Sequence, residues 1–312
     1  MSDDFKKNDS SGSILNFVSP DEFKKSGQSK PVHQPTPVPG VKDVVAVASG
    51  KGGVGKSTVA FHLARALAEQ GKRVGIADAD IYGPSQALLC RTADVLQYND
   101  DATKALPFEQ NGIYSMSIGN LYPPEAHIAW KGPIVSEAVL QIIFEVEWPD
   151  LDLLILDMPP GTGDVALTIL EQVPLTGAVI VTTPQQVATL DAARGVRMFH
   201  NLNVPVFGIV ENMAWLTCPC CGEKRYPFGK RGGEALASRM HVRFLGALSL
   251  DVQLNEGGLM SQDSVLCYQE LADVVAKSAE LDRQAREDGI QKRGDPRHGS
   301  GDGKPTWEKL IS

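Results

Sequence analysis

The chain has 312 residues, 42% of them hydrophobic and 22% charged, with a formal net charge of −8. That length and apolar content suffice for one large α/β domain or two small ones. The acidic balance argues against a general nucleic-acid binder, which needs a basic surface to displace counterions. No apolar run approaches the length of a bilayer span. The start, Met1 to Lys7, has no apolar signal-peptide core, and its early acids do not suit a mitochondrial presequence. A reducing, cytoplasmic setting is therefore expected. The cysteines fit it: Cys90 and Cys267 are isolated, while Cys218, Cys220 and Cys221 cluster, which is not a disulfide framework.

In chain order, residues 1–42 are polar and rich in Ser, Lys, Asp and Pro, and Pro31 to Gly40 reads as a stiff linker. A disordered arm is expected there, with one short apolar patch from Ile14 to Val18. From Asp43 the pattern alternates between short apolar runs and helical segments. Expected strands are Val44–Ser49, Arg73–Asp78, Ile113–Ile118, Leu153–Asp157, Ala178–Thr182, Val206–Val210 and Val242–Leu248. Expected helices are Lys56–Glu69, Pro84–Leu89, Ile134–Phe144, Asp164–Glu171, Val187–His200, Gly233–Ser238 and Val265–Ala279. Continuous apolar strands between helices predict an α/β fold: a mostly parallel sheet with helices on both faces. The expected organisation is an arm at 1–42, a P-loop ATPase domain at 43–280 with a cysteine-bearing insertion near 213–229, and a flexible charged tail at 281–312.

The stretch S-G-K-G-G-V-G-K-S-T, Ser49 to Thr58, lies between the first strand and the first helix. Gly50, Gly52, Gly53 and Gly55 let the loop turn its N–H groups, including that of Val54, inward at an anion. The helix beginning near Lys56 adds its positive end. Lys56 is placed to reach the β- and γ-phosphates of ATP, and the Ser57 hydroxyl to ligate Mg²⁺. Lys51, read from the residues alone, is a solvated loop lysine.

Ligands of a parallel sheet sit at the carboxyl ends of its strands. D-A-D-I-Y-G-P-S, Asp78 to Ser85, falls at one such end. Asp80 is expected to orient the attacking water, since positioning and electrostatics carry most of phosphoryl-transfer catalysis. Asp78 reads as a group near Mg²⁺, in its second layer, or as a cap for the segment opened by Pro84. L-L-I-L-D-M-P-P-G-T-G-D, Leu153 to Asp164, ends a strand in Asp157, the expected Mg²⁺ carboxylate. Its Pro159–Gly163 turn is placed to sense the γ-phosphate. Asp164 is expected to cap the next helix. Asn212, at the end of G-I-V-E-N-M, offers a donor and an acceptor to a base edge.

Cys218 and Cys221 form a C-x-x-C pair. Two thiolates are half of what a tetrahedral zinc or a [4Fe–4S] cluster wants. A symmetric dimer would supply the other half by apposing two identical pairs. A redox dithiol and a small zinc knuckle remain open at this level.

Taken together, these motifs, with W-K-G-P at Trp130 and T-T-P-Q at Thr182, are similar to those of the Mrp/ApbC family of iron–sulfur cluster carriers. That family belongs to the MinD/ParA class of deviant P-loop ATPases. The resemblance covers about Asp43 to Ala279. It implies that Lys51 is the signature lysine that reaches the nucleotide of a partner subunit. It implies that Asp80 activates water, that Asp157 holds Mg²⁺ and that Asn212 contacts adenine. It also implies that Cys218 and Cys221, with their dimer mates, bridge a labile [4Fe–4S] cluster.

The implied protein is a homodimeric ATPase of slow turnover that takes clusters from scaffold proteins and passes them to apo-proteins. Cys220 is an extra thiol, and where many relatives carry an accessory N-terminal domain ahead of the phosphate loop, only the short Pro-rich arm is expected here. The rival readings are a positioning ATPase acting on membrane or DNA, and a zinc-linked dimeric scaffold. Neither stable nucleic-acid nor membrane binding is expected, because the sequence shows no clear basic patch and no amphipathic tail.

Overall fold

The computed structural model describes residues 35–92, 96–121, 132–218, 220–251 and 261–287. The arm before residue 35 with its Ile14–Val18 patch, Trp130 and Lys131, Pro219 and the chain beyond 287 lie outside the described residues.

The first half contains β1 (Val41–Ser49), α1 (Lys56–Glu69), β2 (Val74–Asp78), α2 (Gln86–Leu89), β3 (Gln97–Tyr98), β4 (Ala105–Leu106), β5 (Phe108–Gln110), β6 (Ile113–Ser117), α3 (Ile118–Leu121) and α4 (Gly132–Phe144). The second contains β7 (Leu151–Asp157), α5 (Asp164–Gln172), β8 (Gly177–Thr182), α6 (Gln186–Asn201), β9 (Val206–Glu211), β10 (Leu216–Thr217), β11 (Lys224–Arg225), α7 (Gly232–Met240), β12 (Phe244–Ala247) and α8 (Gln262–Glu287).

Eight strands form one sheet in the order β12-β9-β8-β1-β7-β2-β6-β5. Every pairing is parallel except β5 with β6. The strands read as unbroken apolar runs because alternate residues enter two different cores. In β1, Val45 and Val47 pack on one face, while Val44, Ala46 and Ala48 pack on the other. Leu153 and Ile155 of β7 join the first core, Leu154 and Leu156 the second. On the first face α1 presents Val59, Leu63 and Leu67, all fully buried, with Leu271 and Val275 of α8 over them. Burying each such side chain contributes about 1.5–3 kcal/mol.

β1 lies between β7 and β8, so the chain builds outward from it in both directions. At such a reversal point, by the carboxyl ends of the central strands, an α/β sheet takes its ligand.

Several boundaries differ from expectation. β5 and β6 form an antiparallel hairpin around Asn111 and Gly112, both at positive φ. Twist matching favours such a two-residue turn, and Asn-Gly is its strongest signal. The last helix begins at Gln262 and continues to Glu287, so residues 281–287 are helical rather than part of a tail. It continues because its far end is held to the sheet: Arg283 pairs with the buried Asp43 of β1, and Arg286 approaches Asp43 within 3.9 Å. Thr176 donates to the same carboxylate at 3.1 Å. Burial nevertheless raises the Asp43 carboxyl above its usual range, and the two arginines partly offset this. Asp164 opens α5 without capping it by a side-chain hydrogen bond, so its contribution is negative charge in the first turn.

Candidate nucleotide site and cysteine hairpin

Beyond Ser49 the loop turns over the sheet edge, and two of its glycines are fixed by contact. A Cβ on Gly50 would lie 2.1 Å from the backbone of Asp191 on α6. Gly55 has φ near +80°, and a Cβ there would meet Asn212 Nδ2 at 2.3 Å. Gly52 and Gly53 are exposed, Val54 is buried, and Lys51, Ser57 and Thr58 are half-buried. The Ser49 hydroxyl donates to the Lys51 carbonyl at 2.9 Å, which stiffens the start of the turn. The Gly161 N–H donates to the Ser49 carbonyl at 2.9 Å, lacing the Pro159–Gly163 turn to the phosphate loop.

Lys56 is buried at the start of α1. Its ammonium pairs with Asp157 at the end of β7 and lies 3.3 Å from Ser57 Oγ and 4.0 Å from Asp80 Oδ2. Burial raises the Asp80 carboxyl above its usual range, and Lys56 partly offsets this.

Asp78 and Asp157 are register partners on β2 and β7. Burial first, and the Asp157 charge second, push the Asp78 carboxyl up to about 6. Asp78 Oδ2 accepts from the Ser85 N–H at 2.9 Å, the Gln86 N–H at 3.0 Å and the Ser117 hydroxyl at 2.9 Å. Its other oxygen accepts from the Asp80 N–H at 3.1 Å. Asp78 therefore anchors the start of α2 and sets the backbone of Asp80, as the capping alternative anticipated.

Gln86 is the residue that the sequence did not flag. It is fully buried, and its Nε2 donates to Asp157 Oδ2 at 2.8 Å and to the Ser57 carbonyl at 3.0 Å. The groups around it suit a hydrated hard divalent cation: the Ser57 hydroxyl and the Asp157 carboxylate are oxygen ligands, and the Gln86 carbonyl oxygen, buried without a partner, is an acceptor for a donor such as a bound water.

Asn212 follows β9 and is buried. Its side-chain amide donates to the Val54 carbonyl at 2.9 Å, and its backbone N–H to the Thr182 carbonyl at 2.7 Å. A few residues later the chain leaves the sheet as a two-stranded hairpin, β10 against β11, with Leu216 opposite Arg225 and Thr217 opposite Lys224. The Cys218 N–H donates to the Glu223 carbonyl at 3.0 Å, and the Gly222 N–H to the Cys218 carbonyl at 2.9 Å. That tight turn leaves Cys220 and Cys221 exposed and Cys218 half-buried. Backbone N–H groups of Cys221 and then Cys220 hold the Cys218 thiol below its usual pKa, which favours the thiolate that metals bind. The Lys224 ammonium sits 4.2 Å from the Trp215 ring centroid. On the return, Gly233 at the start of α7 donates its N–H to the buried Glu211 carboxylate. Among the described residues, no group of three or more His, Cys, Asp or Glu is assembled for a metal ion.

The structure thus gathers Lys56, Ser57, Asp80 and Asp157 at one point, with Asn212 against the loop and Lys51 near its start. Cys218 and Cys221 stand apart on the hairpin. A family profile described as "ParA: NUBPL iron-transfer P-loop NTPase" matches residues 40–281. The chain belongs to this family. It is 44% identical over 246 residues to the iron-sulfur cluster carrier protein of Salmonella typhimurium, covering 76% of this chain and 67% of that one. It is 41% identical over 271 residues to the mitochondrial iron-sulfur protein required for NADH dehydrogenase of Arabidopsis thaliana, covering 84% and 86%.

Among solved structures, a nucleotide-binding protein in complex with ADP from Archaeoglobus fulgidus matches with a TM-score of 0.60 and 35% identity, over 74% of this chain and 88% of that one. The septum site-determining protein MinD of Pyrococcus horikoshii, complexed with Mg-ADP, matches at 0.55 with 20% identity, over 77% and 98%, a likeness of fold alone. Membership of the iron-transfer P-loop NTPases agrees with the parallel sheet and with the loop from Gly50 to Ser57. No helix among the described residues is long and apolar enough to cross a membrane.

Proposed function

We propose that this iron-transfer NTPase hydrolyses ATP and carries a [4Fe–4S] cluster, held between two copies of the chain by Cys218 and Cys221 of each, for delivery to apo-proteins. The observation that carries the reading is the exposed cysteine turn on a hairpin whose root is tied to the phosphate loop by the Asn212–Val54 hydrogen bond. One chain offers half of the four ligands such a cluster wants, so the second copy completes the set. The names of the bacterial relatives, iron-sulfur cluster carrier proteins, support the cargo.

In this proposal the phosphates of ATP lie against the N–H groups from Gly50 to Thr58, with adenine near Asn212. Lys56 meets the β- and γ-phosphates. The Ser57 hydroxyl and the Asp157 carboxylate would hold Mg²⁺, which would neutralise charge on the phosphate oxygens. Asp80, close to Lys56 and raised in pKa by burial, orients the water and accepts its proton as the γ-phosphoryl departs. Lys51 reaches the nucleotide held by the partner copy. Because Gly161 is bonded to Ser49, loss of the γ-phosphate is felt by both loops, and the dimer opens around the cluster.

The test is anaerobic reconstitution of wild type and Cys218→Ala, with iron, sulfide and zinc measured per chain alongside the visible spectrum. Half an equivalent of cluster per wild-type chain and none in the variant is the expected result. Equal iron loading in both, or zinc alone in wild type, overturns the cargo.

A further inference from the structure

Gln86 sits in a four-residue helix, yet it touches three parts of the nucleotide site. Its backbone N–H is bonded to Asp78 of β2, and its side-chain amide to Asp157 of β7 and to the Ser57 carbonyl of α1. Both neighbours of Nε2 are acceptors. Turning the amide over would set its oxygen against a carboxylate and a carbonyl, so its orientation is fixed by its partners. The consequence is that Oε1 points into the protein with no donor, a costly state for a buried acceptor.

What would satisfy it is narrowly limited. Phosphate oxygens and the Asp157 carboxylate only accept hydrogen bonds. Lys56, a buried donor beside Asp157, is engaged by Asp157 and Ser57 in this structure and, on the reading above, by the phosphates once nucleotide is bound. A Mg²⁺-type ion keeps several of its waters, and those waters are donors.

We propose that Gln86 is a positioning residue for the divalent cation of the nucleotide site. Its amide N–H fixes Oδ2 of Asp157; Oδ1, held by Lys56 in this structure, becomes available to the cation once Lys56 turns to the phosphates, and the Gln86 carbonyl oxygen accepts a hydrogen bond from a cation-bound water. The inference rests on the Mg²⁺-nucleotide reading of the site given above.

The test titrates the full chain with Mn²⁺, followed by electron paramagnetic resonance in the presence of ADP, and with a fluorescent ADP analogue in EDTA. In Gln86→Met, Mn²⁺ affinity should fall about 10- to 100-fold, while ADP affinity in EDTA stays within about twofold. Unchanged Mn²⁺ affinity overturns the proposal. So does an equal loss of ADP affinity with and without the cation, which a merely structural role would produce. If Gln86→Met does not fold, Gln86→Asn keeps the amide on a shorter stem, and the same split is expected. Wild type that binds ADP with no help from the cation would overturn the parent reading and this one with it. That result is visible in wild type alone, so the two failures are distinguishable.

Discussion

Lys56 and Asp157 form a buried ion pair, although 101 residues separate them in the chain. Lys56 lies against Asp157 and within 4.0 Å of Asp80, and Asp78 is the register partner of Asp157. Removing the lysine leaves these carboxylates to repel one another in a site of low dielectric. Lys56→Ala should therefore abolish ATP turnover and also lower stability by about 3–5 kcal/mol, the usual cost of stranding one member of a buried pair. Lys56→Ala combined with Asp157→Asn should recover part of that loss. A thermal or denaturant unfolding series in which the two changes simply add would contradict the pairing.

Asp80 is the proposed water-orienting carboxylate, whereas Asp78 is occupied by backbone and hydroxyl donors. Asp80→Asn keeps the shape and removes the proposed base. Single-turnover hydrolysis should slow by about 10²- to 10⁴-fold, with nucleotide affinity retained. A rate within a few-fold of wild type would move the water-orienting role elsewhere.

The Asn212 amide is bonded to the Val54 carbonyl, and the cysteine hairpin begins soon after. Asn212→Ala should weaken ADP binding by about 2- to 10-fold, as loss of one modest hydrogen bond allows. More tellingly, it should uncouple the hairpin from the nucleotide. The rate at which iodoacetamide alkylates Cys221 should depend on ADP in wild type and be indifferent to it in the variant. An equal response in both would remove Asn212 from the connection.

Asp78 supplies a pH dependence. Its folded pKa, about 6, lies above its ordinary value of 3.8, so the native state binds the proton more tightly than the unfolded chain does. The stabilisation from that proton is fully present below the ordinary value and is lost as pH rises through about 6. Wild type should therefore gain on Asp78→Asn, by on the order of 1 kcal/mol, as the pH falls from about 7.5 to about 5. Denaturant unfolding at both pH values reads this directly, and a stability of wild type minus variant that stays constant or falls on acidification would refute it.

Much of this was legible because the chemistry of a phosphate loop is local. Gly50 to Ser57 folds against its own strand and helix, so spacing alone announced it. Asp157 was legible for a related reason: an apolar run ending in a carboxylate can only place that carboxylate at a strand end. Gln86 was not, because nothing local marks a buried glutamine. Its partners come from β2, β7 and α1, and only the folded sheet brings them to one amide. The β5–β6 hairpin was missed despite a visible Asn111-Gly112 signal, since Phe108 to Gln110 is too short to show a period. The length of α8 also escaped detection. Its last turns are charged, and they read as a solvated tail until Arg283 is seen beside the buried Asp43.

The position of β1 in the sheet also imposes an order in time. Its neighbours on both sides, β7 and β8, are made long after it, and Lys56 waits 101 residues for Asp157. At about 5–20 residues per second, a ribosome leaves the phosphate loop without its sheet partners for about 5–20 s. During that interval the proposed nucleotide site lacks Asp157 and both strands that flank β1. On the proposed function, capture of ATP would thus be a late event in biosynthesis, one that reports that the central strands have closed.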